Sequence, residues 1–324
     1  MRLLPLYSVQ VASPRRRAGE QEVVFSSRSD ETRSTMSGRS GSWPAVAAWL
    51  RPFANGIFAL LVPANCRICS QPLLQASRLP VCQPCRDCVE PIEGSLCPVC
   101  GERLLSFCPT AFSLSDADAE AAICGLCRRA LPPYVQAVAY GTFEQALRST
   151  IHLLKYDRVM PAADFLGLKL GVAMAKLRVS NANAVDGDSW LVVPVPLHSS
   201  KLRQRGFNQA ELIARAALRN AVWRHLQLET RVLARHRETV SQAGLTRHQR
   251  RQNIRGAFRV RKPDSVKDRD ILLVDDVFTT GATVSECARV LLRAGAHSVL
   301  IATVARALNA ERVLHPVLAV EAAA

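Results

Sequence analysis

The chain contains 324 residues, enough for about two domains and for at least one well-packed core. Hydrophobic residues make up 48% of the sequence and charged residues 21%, a composition that excludes a wholly disordered or fibrous protein. The formal net charge of +15 favours polyanionic partners.

The amino-terminal part divides into an extension and an apolar segment. Residues 1–42 are rich in arginine and serine and lack periodic apolar positions, so we predict a disordered extension, within which Met36 is an alternative start. An amphipathic helical segment follows from Trp43. Its longest apolar run, Phe53 to Val62, is shorter than the roughly 20 residues that cross a bilayer. We therefore expect no transmembrane segment and a cytoplasmic location.

Ten of the eleven cysteines lie between Cys66 and Cys127, and this clustering favours metal binding over disulfide bonds. Most of them form Cys-X-X-Cys pairs, a spacing that lets both thiolates reach one ion. Two such pairs complete a tetrahedral site suited to zinc. We predict two structural zinc sites in a double zinc ribbon within residues 43–131. The first would use Cys66, Cys69, Cys82 and Cys85, and the second Cys97, Cys100, Cys124 and Cys127.

This pairing in chain order is an assumption. The linkers of 12 and 23 residues between pairs fall outside the common range of about 15 to 20. A crossed arrangement therefore stays open, as does replacement of a ligand by Cys88 or Cys108. A redox or iron–sulfur role and disulfide bonds are the weaker alternatives.

After Pro132 and Pro133, apolar strand patterns alternate with helical patterns. Such alternation predicts an α/β domain over residues 132–308, with a mostly parallel sheet flanked by helices on both faces. A tail would follow at 309–324. The predicted strands lie near 135–143, 190–195, 231–235, 256–260, 270–275 and 298–305, and the predicted helices near 144–156, 161–178, 207–227 and 282–294.

The region between His198 and Lys262 is strongly basic, with 16 Lys or Arg and three Glu. Its first cations follow the strand predicted at 190–195, so we place Lys201, Arg203 and Arg205 in a loop at the carboxyl end of the sheet. A Gly-containing stretch at 239–246 reads as a mobile loop able to close over a ligand. Four arginines come after it, namely Arg247, Arg250, Arg251 and Arg255. A solvated or nucleic-acid-binding surface is the alternative for both groups.

The strongest chemical motif lies at residues 271–294. The short apolar run from Ile271 to Val274 predicts a buried parallel strand, and Asp275 and Asp276 follow at its carboxyl end. A turn of small residues then opens a helix, so backbone N–H groups and hydroxyls can surround a phosphate. This turn consists of Thr279, Thr280, Gly281, Ala282 and Thr283. The two carboxylates suit ribose hydroxyls with a nearby divalent cation, whereas a plain helix cap with solvated aspartates is the alternative.

The segment resembles the phosphoribosyl diphosphate (PRPP) signature of the type I phosphoribosyltransferases. Four further features occur in the same order in the ComF/GntX family of competence-associated proteins: the cysteine region, the Lys155-Tyr156 pair, the run Arg205 to Gln209 and the run Arg251 to Phe258. The resemblance covers about residues 43–306.

The resemblance implies a type I phosphoribosyltransferase-like fold that binds PRPP with Mg²⁺ and transfers the phosphoribosyl group to an unknown acceptor. Asp275 and Asp276 would orient the ribose, and residues 279–283 would hold its phosphate. Lys155 and Arg205, with Lys201 and Arg203, would stabilise the departing diphosphate. The alternative is a non-catalytic DNA-uptake factor that binds single-stranded DNA, works with the DNA-uptake machinery and uses PRPP as a sensed or structural ligand.

Overall fold

The computed structural model describes residues 64–73, 77–104, 123–177, 190–239 and 246–308. Several predictions lie outside these residues: the extension, the apolar segment up to residue 63, most of the loop predicted at 239–246, Cys108 and the tail.

Strands lie in two sheets among the described residues. Five of them form a sheet in the order β1-β7-β6-β2-β3, and every neighbouring pair is parallel. The remaining two strands pair antiparallel with each other. The bounds are β1 (Gln136–Thr142), β2 (Trp190–Pro194), β3 (Gln227–Leu228), β4 (Leu233–Arg235), β5 (Phe258–Val260), β6 (Asp270–Phe278) and β7 (Ser298–Arg306). The predicted mostly parallel sheet is confirmed.

The first two α-helices lie in the cysteine-rich segment ahead of β1, and the other six lie between strands. Among the described residues none is long and apolar enough to cross a bilayer. Their bounds are α1 (Gln83–Asp87), α2 (Gly125–Arg129), α3 (Gln145–Lys155), α4 (Ala162–Met174), α5 (Ser199–Arg205), α6 (Gln209–Ala217), α7 (Arg247–Ile254) and α8 (Ala282–Arg293). A short 3-10 helix, Pro263–Ser265, precedes β6.

The central strand β6 builds a core on both faces of the parallel sheet. Leu272 and Val274 pack in the cluster that holds apolar residues of α3, α4 and α6. Ile271 and Leu273 point the other way, into the cluster that holds apolar residues of α8. Successive residues of a strand face opposite sides, so an uninterrupted apolar run is what a strand covered on both faces requires.

The strands predicted at 231–235 and 256–260 form, but not in the parallel sheet. They are β4 and β5, which pair with each other and pack Leu233 and Phe258 into the α8 side of the core. A short apolar run indicates a strand without indicating its partner. Packing against α8 decides the arrangement here.

The basic residues after β2 lie in a helix and not in the predicted loop. The ring of His198 accepts a hydrogen bond from Ser200 N at 3.3 Å and caps the start of α5. Gly206, with φ of 87°, ends it in the left-handed conformation that glycine adopts without strain. The helix predicted at 207–227 is shorter than expected: it is α6, which begins at Gln209 and ends at Ala217.

Part of the cysteine-rich segment lies along β1, which is an edge strand of the sheet. Ala137 N donates to Val99 O at 2.8 Å, and Ile92 N donates to Tyr140 O at 2.6 Å. These bonds cover backbone groups that an exposed edge would leave unpaired. They hold the cysteine-rich segment to the sheet.

Candidate active site and metal centres

A polar cleft of about 260 Å³ lies at the carboxyl ends of β2 and β6. In parallel α/β sheets this edge is where ligands bind. The cleft is lined by Lys155, Tyr156, Val195, Pro196, Leu197, Lys201, Arg205, Gln209, Arg235, Thr239, Asp275, Asp276, Val277, Thr279 and Thr283. Strands, helices and loops that are far apart in the sequence therefore contribute to one site.

A buried ion pair lies in the cleft wall. Lys155, the last residue of α3, places its ammonium nitrogen against Asp276 Oδ2. Burial by itself would raise the pKa of Asp276, but the Lys155 ammonium outweighs it and lowers the pKa below the usual range. Asp276 is therefore a carboxylate at neutral pH. Two of the residues predicted to form the site are therefore in direct contact.

The pKa of the neighbouring Asp275 shifts in the opposite direction. Its Oδ1 accepts a hydrogen bond from Asp276 N at 2.9 Å, and its side chain is partly exposed to the cleft. Burial and the nearby Asp276 charge raise the pKa of Asp275 well above the ordinary value. The twin acids thus differ in proton affinity, and Asp275 is the one that would give up a proton when a cation or a donor hydroxyl arrives.

The turn after β6 brings part of the predicted phosphate cradle to the cleft. Gly281, with φ of 75°, precedes the first residue of α8, and Ala282 N lies 3.4 Å from Thr280 Oγ1. Thr279 and Thr283 line the cleft, beside the positive end of the α8 dipole. Thr280 and Ala282 instead line a neighbouring cavity.

Helical geometry brings two of the three predicted cations of α5 to the cleft and keeps the third away from it. Lys201 and Arg205 are four residues apart, so they share one face of the helix and both line the cleft. Arg203 lies between them on another face, is exposed and is not part of the cleft lining. Arg205 Nη1 donates to Gln209 Oε1 at 2.5 Å, and its guanidinium lies 5.9 Å from the centre of the Tyr156 ring. These contacts fix its direction.

Arg235, at the end of β4, is a cleft residue that the sequence analysis missed. Its guanidinium contacts Thr239 Oγ1 and lies 5.6 Å from the centre of the Phe258 ring. Burial lowers the pKa of Arg235, but the ordinary pKa of arginine is so high that the side chain stays charged at neutral pH. The available signal was a cation placed directly after an apolar strand pattern in the basic region.

The arginines predicted to follow the mobile loop lie elsewhere. Arg251 and Arg255 line the neighbouring cavity of about 440 Å³, together with Arg289 and Arg293 of α8. Leu131, Pro132 and Pro133 form its apolar side. This basic cavity, as we call it, is separate from the cleft that holds the twin acids.

The first cysteine cluster joins Cys66, Cys69, Cys82 and Cys85, whose sulfur atoms all lie within 4.8 Å of one another. Cys69 Sγ and Cys82 Sγ are 3.6 Å apart, close to the roughly 3.8 Å that two thiolates on one tetrahedral zinc would show. Burial opposes ionisation of Cys66, yet backbone N–H groups lower its pKa to about 6. Two of them, Ile68 N and Cys82 N, lie 3.4 Å from its sulfur.

The second cluster joins Cys97, Cys100, Cys124 and Cys127, all of them buried. Cys100 Sγ and Cys124 Sγ are 3.6 Å apart, and Cys124 N lies 3.3 Å from Cys97 Sγ. Hydrogen bonding with Cys100 lowers the pKa of Cys97 to about 4. The chain-order grouping of the pairs is therefore the one observed, and each cluster could hold a zinc ion.

Comparison with known proteins gives matches over most of the chain. A family model described as a phosphoribosyl transferase domain matches residues 216–316. The DNA utilization protein YhgH of Escherichia coli O157:H7 is 33% identical over 251 residues, which cover 77% of this chain and 100% of that protein. Competence protein F of Haemophilus influenzae is 27% identical over 233 residues, covering 70% of this chain and 96% of that protein. Competence protein ComFC of Bacillus subtilis is 24% identical over 215 residues, covering 66% and 79% respectively.

Proposed function

Because this chain belongs to the ComF family and carries a phosphoribosyltransferase domain, we propose that it binds PRPP with Mg²⁺ and transfers the phosphoribosyl group to an acceptor. The observation that carries the proposal is the charge arrangement of the cleft. Two aspartates stand beside a helix start, and Lys155, Lys201, Arg205 and Arg235 line the same space. A sugar that carries a phosphate and a diphosphate needs both kinds of group.

Each part of PRPP has a counterpart in the cleft. The hydroxyls of Thr279 and Thr283 and the amides at the start of α8 would hold the 5′-phosphate. Asp275 and Asp276 would accept hydrogen bonds from the ribose hydroxyls. Mg²⁺ would neutralise part of the diphosphate charge, and these two carboxylates supply the oxygen ligands that it prefers.

In the transfer, a bond forms between the acceptor nucleophile and the anomeric carbon while the carbon–oxygen bond to diphosphate breaks. The electron pair of that bond leaves with the diphosphate, so positive charge grows on the ribose and negative charge on the leaving group. Arg205 and Arg235 would stabilise the diphosphate oxygens, and the Asp276 carboxylate would offset the ribose charge. Lys155 keeps Asp276 ionised for this task.

Calorimetry with Mg²⁺ and PRPP tests the binding step. We expect Asp275→Asn to weaken binding and Asp275→Asn with Asp276→Asn to abolish it, because both ribose acceptors lose their charge. The matched control is Asp264→Asn with Asp268→Asn, which removes two charges at exposed positions. Circular dichroism establishes that each variant is folded. Equal affinity in the two folded double variants would refute the site assignment, and diphosphate release against a panel of acceptors tests the transfer.

The cysteine clusters are part of the same proposal. We assign a structural zinc ion to each, as a double zinc ribbon within residues 43–131 ahead of the domain at 132–308. Closed four-thiolate sites leave no position for a substrate, so this metal would support the fold. The ten cysteines of the described residues form no disulfide bond, and we propose a cytoplasmic location because a reducing compartment keeps cysteines available to a metal.

A second candidate function is binding of single-stranded DNA, favoured by the basic cavity. Arg289 is paired with Glu286, but Arg251, Arg255 and Arg293 are exposed and lie outside the cleft, so these three are available to a polyanion while PRPP is bound. The proline and leucine side chains beside them offer apolar contact to bases. The relatives named for DNA utilization and competence agree with this role.

Fluorescence anisotropy with a labelled oligonucleotide tests the second function. Replacing Arg251, Arg255 and Arg293 by glutamine should weaken binding and reduce the salt slope by about 0.7 for each phosphate that is no longer neutralised. The control replaces Arg231, Arg259 and Arg261, which are exposed and do not line the basic cavity. Equal losses of affinity in both variants would assign the binding to overall charge and reject this cavity as the site.

A further inference from the structure

One buried arginine touches the second cysteine cluster. Arg306, the last residue of β7, is 4% exposed, and Glu102 is 6% exposed. The guanidinium donates to the backbone carbonyl of Cys100 and to Glu102 Oε2, the latter at 3.0 Å. One of its nitrogens also lies 3.8 Å from Cys100 Sγ. A cation at this depth depends on these partners, because removing one of them leaves a buried charge uncompensated.

The same guanidinium lies under the turn that starts α8. Its central carbon is 4.4 Å from the centre of the Phe278 ring. The two residues are also register partners in the sheet, since β6 and β7 pair Phe278 with Arg306. A cation over a ring face is attracted by the ring electrons, and the attraction grows where water is excluded.

Phe278 in turn supports Gly281. A Cβ atom built on Gly281 would lie 2.7 Å from Phe278 Cζ, so the glycine backbone rests directly on the ring. With its φ of 75°, Gly281 sets the direction in which the turn enters α8. Any displacement of the Phe278 ring therefore reaches the turn that carries Thr279 and Thr283.

The second cluster is fixed to the sheet at another point. Gly101 has φ of 69°, and a Cβ atom there would lie 3.0 Å from Ala137 O, so this cysteine turn sits directly on β1. Ala137 therefore contacts the turn through both of its backbone groups: its N–H donates to Val99 O, and its carbonyl oxygen lies against Gly101. A metal that binds the four sulfurs would also fix the Cys100 carbonyl and the Glu102 carboxylate, which accept the hydrogen bonds of Arg306.

We propose that Arg306 is a positioning residue that couples metal binding at the second cluster to phosphate binding at the turn before α8. The inference rests on the proposed PRPP function. Without the metal, the Cys100 carbonyl and Glu102 lose their fixed position, Arg306 and Phe278 shift, and Gly281 loses its support. Coupling between two binding sites is reciprocal in binding free energy, so bound PRPP also raises the affinity of the second cluster for zinc.

The central test uses Arg306→Lys in the full chain. Lysine keeps a positive charge opposite Glu102 but lacks the planar group that reaches Cys100 and covers Phe278. We expect an unchanged zinc content of two per chain, roughly tenfold weaker binding of Mg²⁺-PRPP, and faster amide hydrogen exchange over residues 278–284. Phe278→Leu removes the ring on which the guanidinium and Gly281 both rest, and it should give the same pattern. Native affinity together with native exchange in both variants would overturn the coupling.

Matched cysteine variants separate the two clusters. Cys124→Ser with Cys127→Ser should prevent metal binding at the second cluster without substituting Cys100, whereas Cys69→Ser with Cys85→Ser should prevent it at the first. Only the former should speed exchange over 278–284 in the protein without ligand, and equal effects of both would overturn the proposal. If the native protein binds no PRPP, the proposed function fails, while the exchange measurement still decides the coupling between Arg306 and the turn.

Discussion

Replacing Lys155 by methionine should destabilise the protein far more than the same change at an exposed lysine of the cleft. The side chains of Lys155 and Asp276 are 17% and 6% exposed, so the change leaves a carboxylate that water scarcely reaches. Breaking a buried pair in this way costs about 3 to 5 kcal/mol. Because Lys155 borders an open cleft and water can enter the vacated space, we expect about 3 kcal/mol, at the lower end of that range.

Urea unfolding followed by circular dichroism measures this cost, and a double variant isolates the pair. Lys155→Met with Asp276→Asn removes both charges, so it should recover all but about 1 kcal/mol. Lys201→Met is the control, since Lys201 is exposed in the same cleft and should change stability by about 0.5 kcal/mol or less. If Lys155→Met costs no more than Lys201→Met, or if the double variant regains nothing, the ion pair does not stabilise the fold as argued.

The pH dependence of this difference has a definite sign. Lys155 lowers the pKa of Asp276 in the folded protein. The stability from this pair is therefore present above the unfolded pKa of about 3.9, and is lost as the pH falls through the folded value. In Lys155→Met burial raises the pKa of Asp276, so the gap between the native protein and this variant should narrow as the pH falls from that raised value towards the lowered native value. A gap that stays constant down to about pH 2 would contradict this assignment.

Three further outcomes are expected. Gly281→Ala should lower the free energy of unfolding in urea by about 2 kcal/mol, because alanine there has an unfavourable positive φ and its Cβ atom contacts the Phe278 ring. The control is Gly206→Ala, with φ of 87° and nothing within 4 Å of the added Cβ atom, which should cost only the part due to the positive φ. Equal costs would argue against the ring contact. Burial raises the pKa of Asp275 in the free protein, so Mg²⁺-PRPP should bind more tightly as the pH rises through that raised value, with proton release that calorimetry in two buffers detects. Binding with no proton release at any pH would contradict an Asp275 that carries a proton before the ligand binds. Metal analysis should find two zinc ions in the native chain and one in Cys69→Ser with Cys85→Ser, and an unchanged content would refute the first site.

Local patterns in the sequence were sufficient for the strand that carries the twin acids, although β6 continues past them to Phe278, and for the turn that follows it. An apolar run such as Ile271 to Val274 has few structures open to it other than a buried strand, and Gly281 marks the positive φ before α8. The same holds for the cysteine pairs, where two intervening residues define a metal-binding turn. Arg203 shows the limit, since its place outside the cleft follows from a helix that His198 and Gly206 delimit.

What the sequence by itself determined were the parallel sheet, the position of Asp275 and Asp276 near its carboxyl edge, and the cysteine pairs of the two clusters, because each depends on neighbouring residues or on short spacings. Only the tertiary structure decided which distant residues meet. Lys155 reaches Asp276, Arg235 enters the cleft from a separate pair of strands, and Arg306 joins Cys100 to Phe278. These contacts span long stretches of chain and arise from the packing of whole elements, which no local pattern encodes.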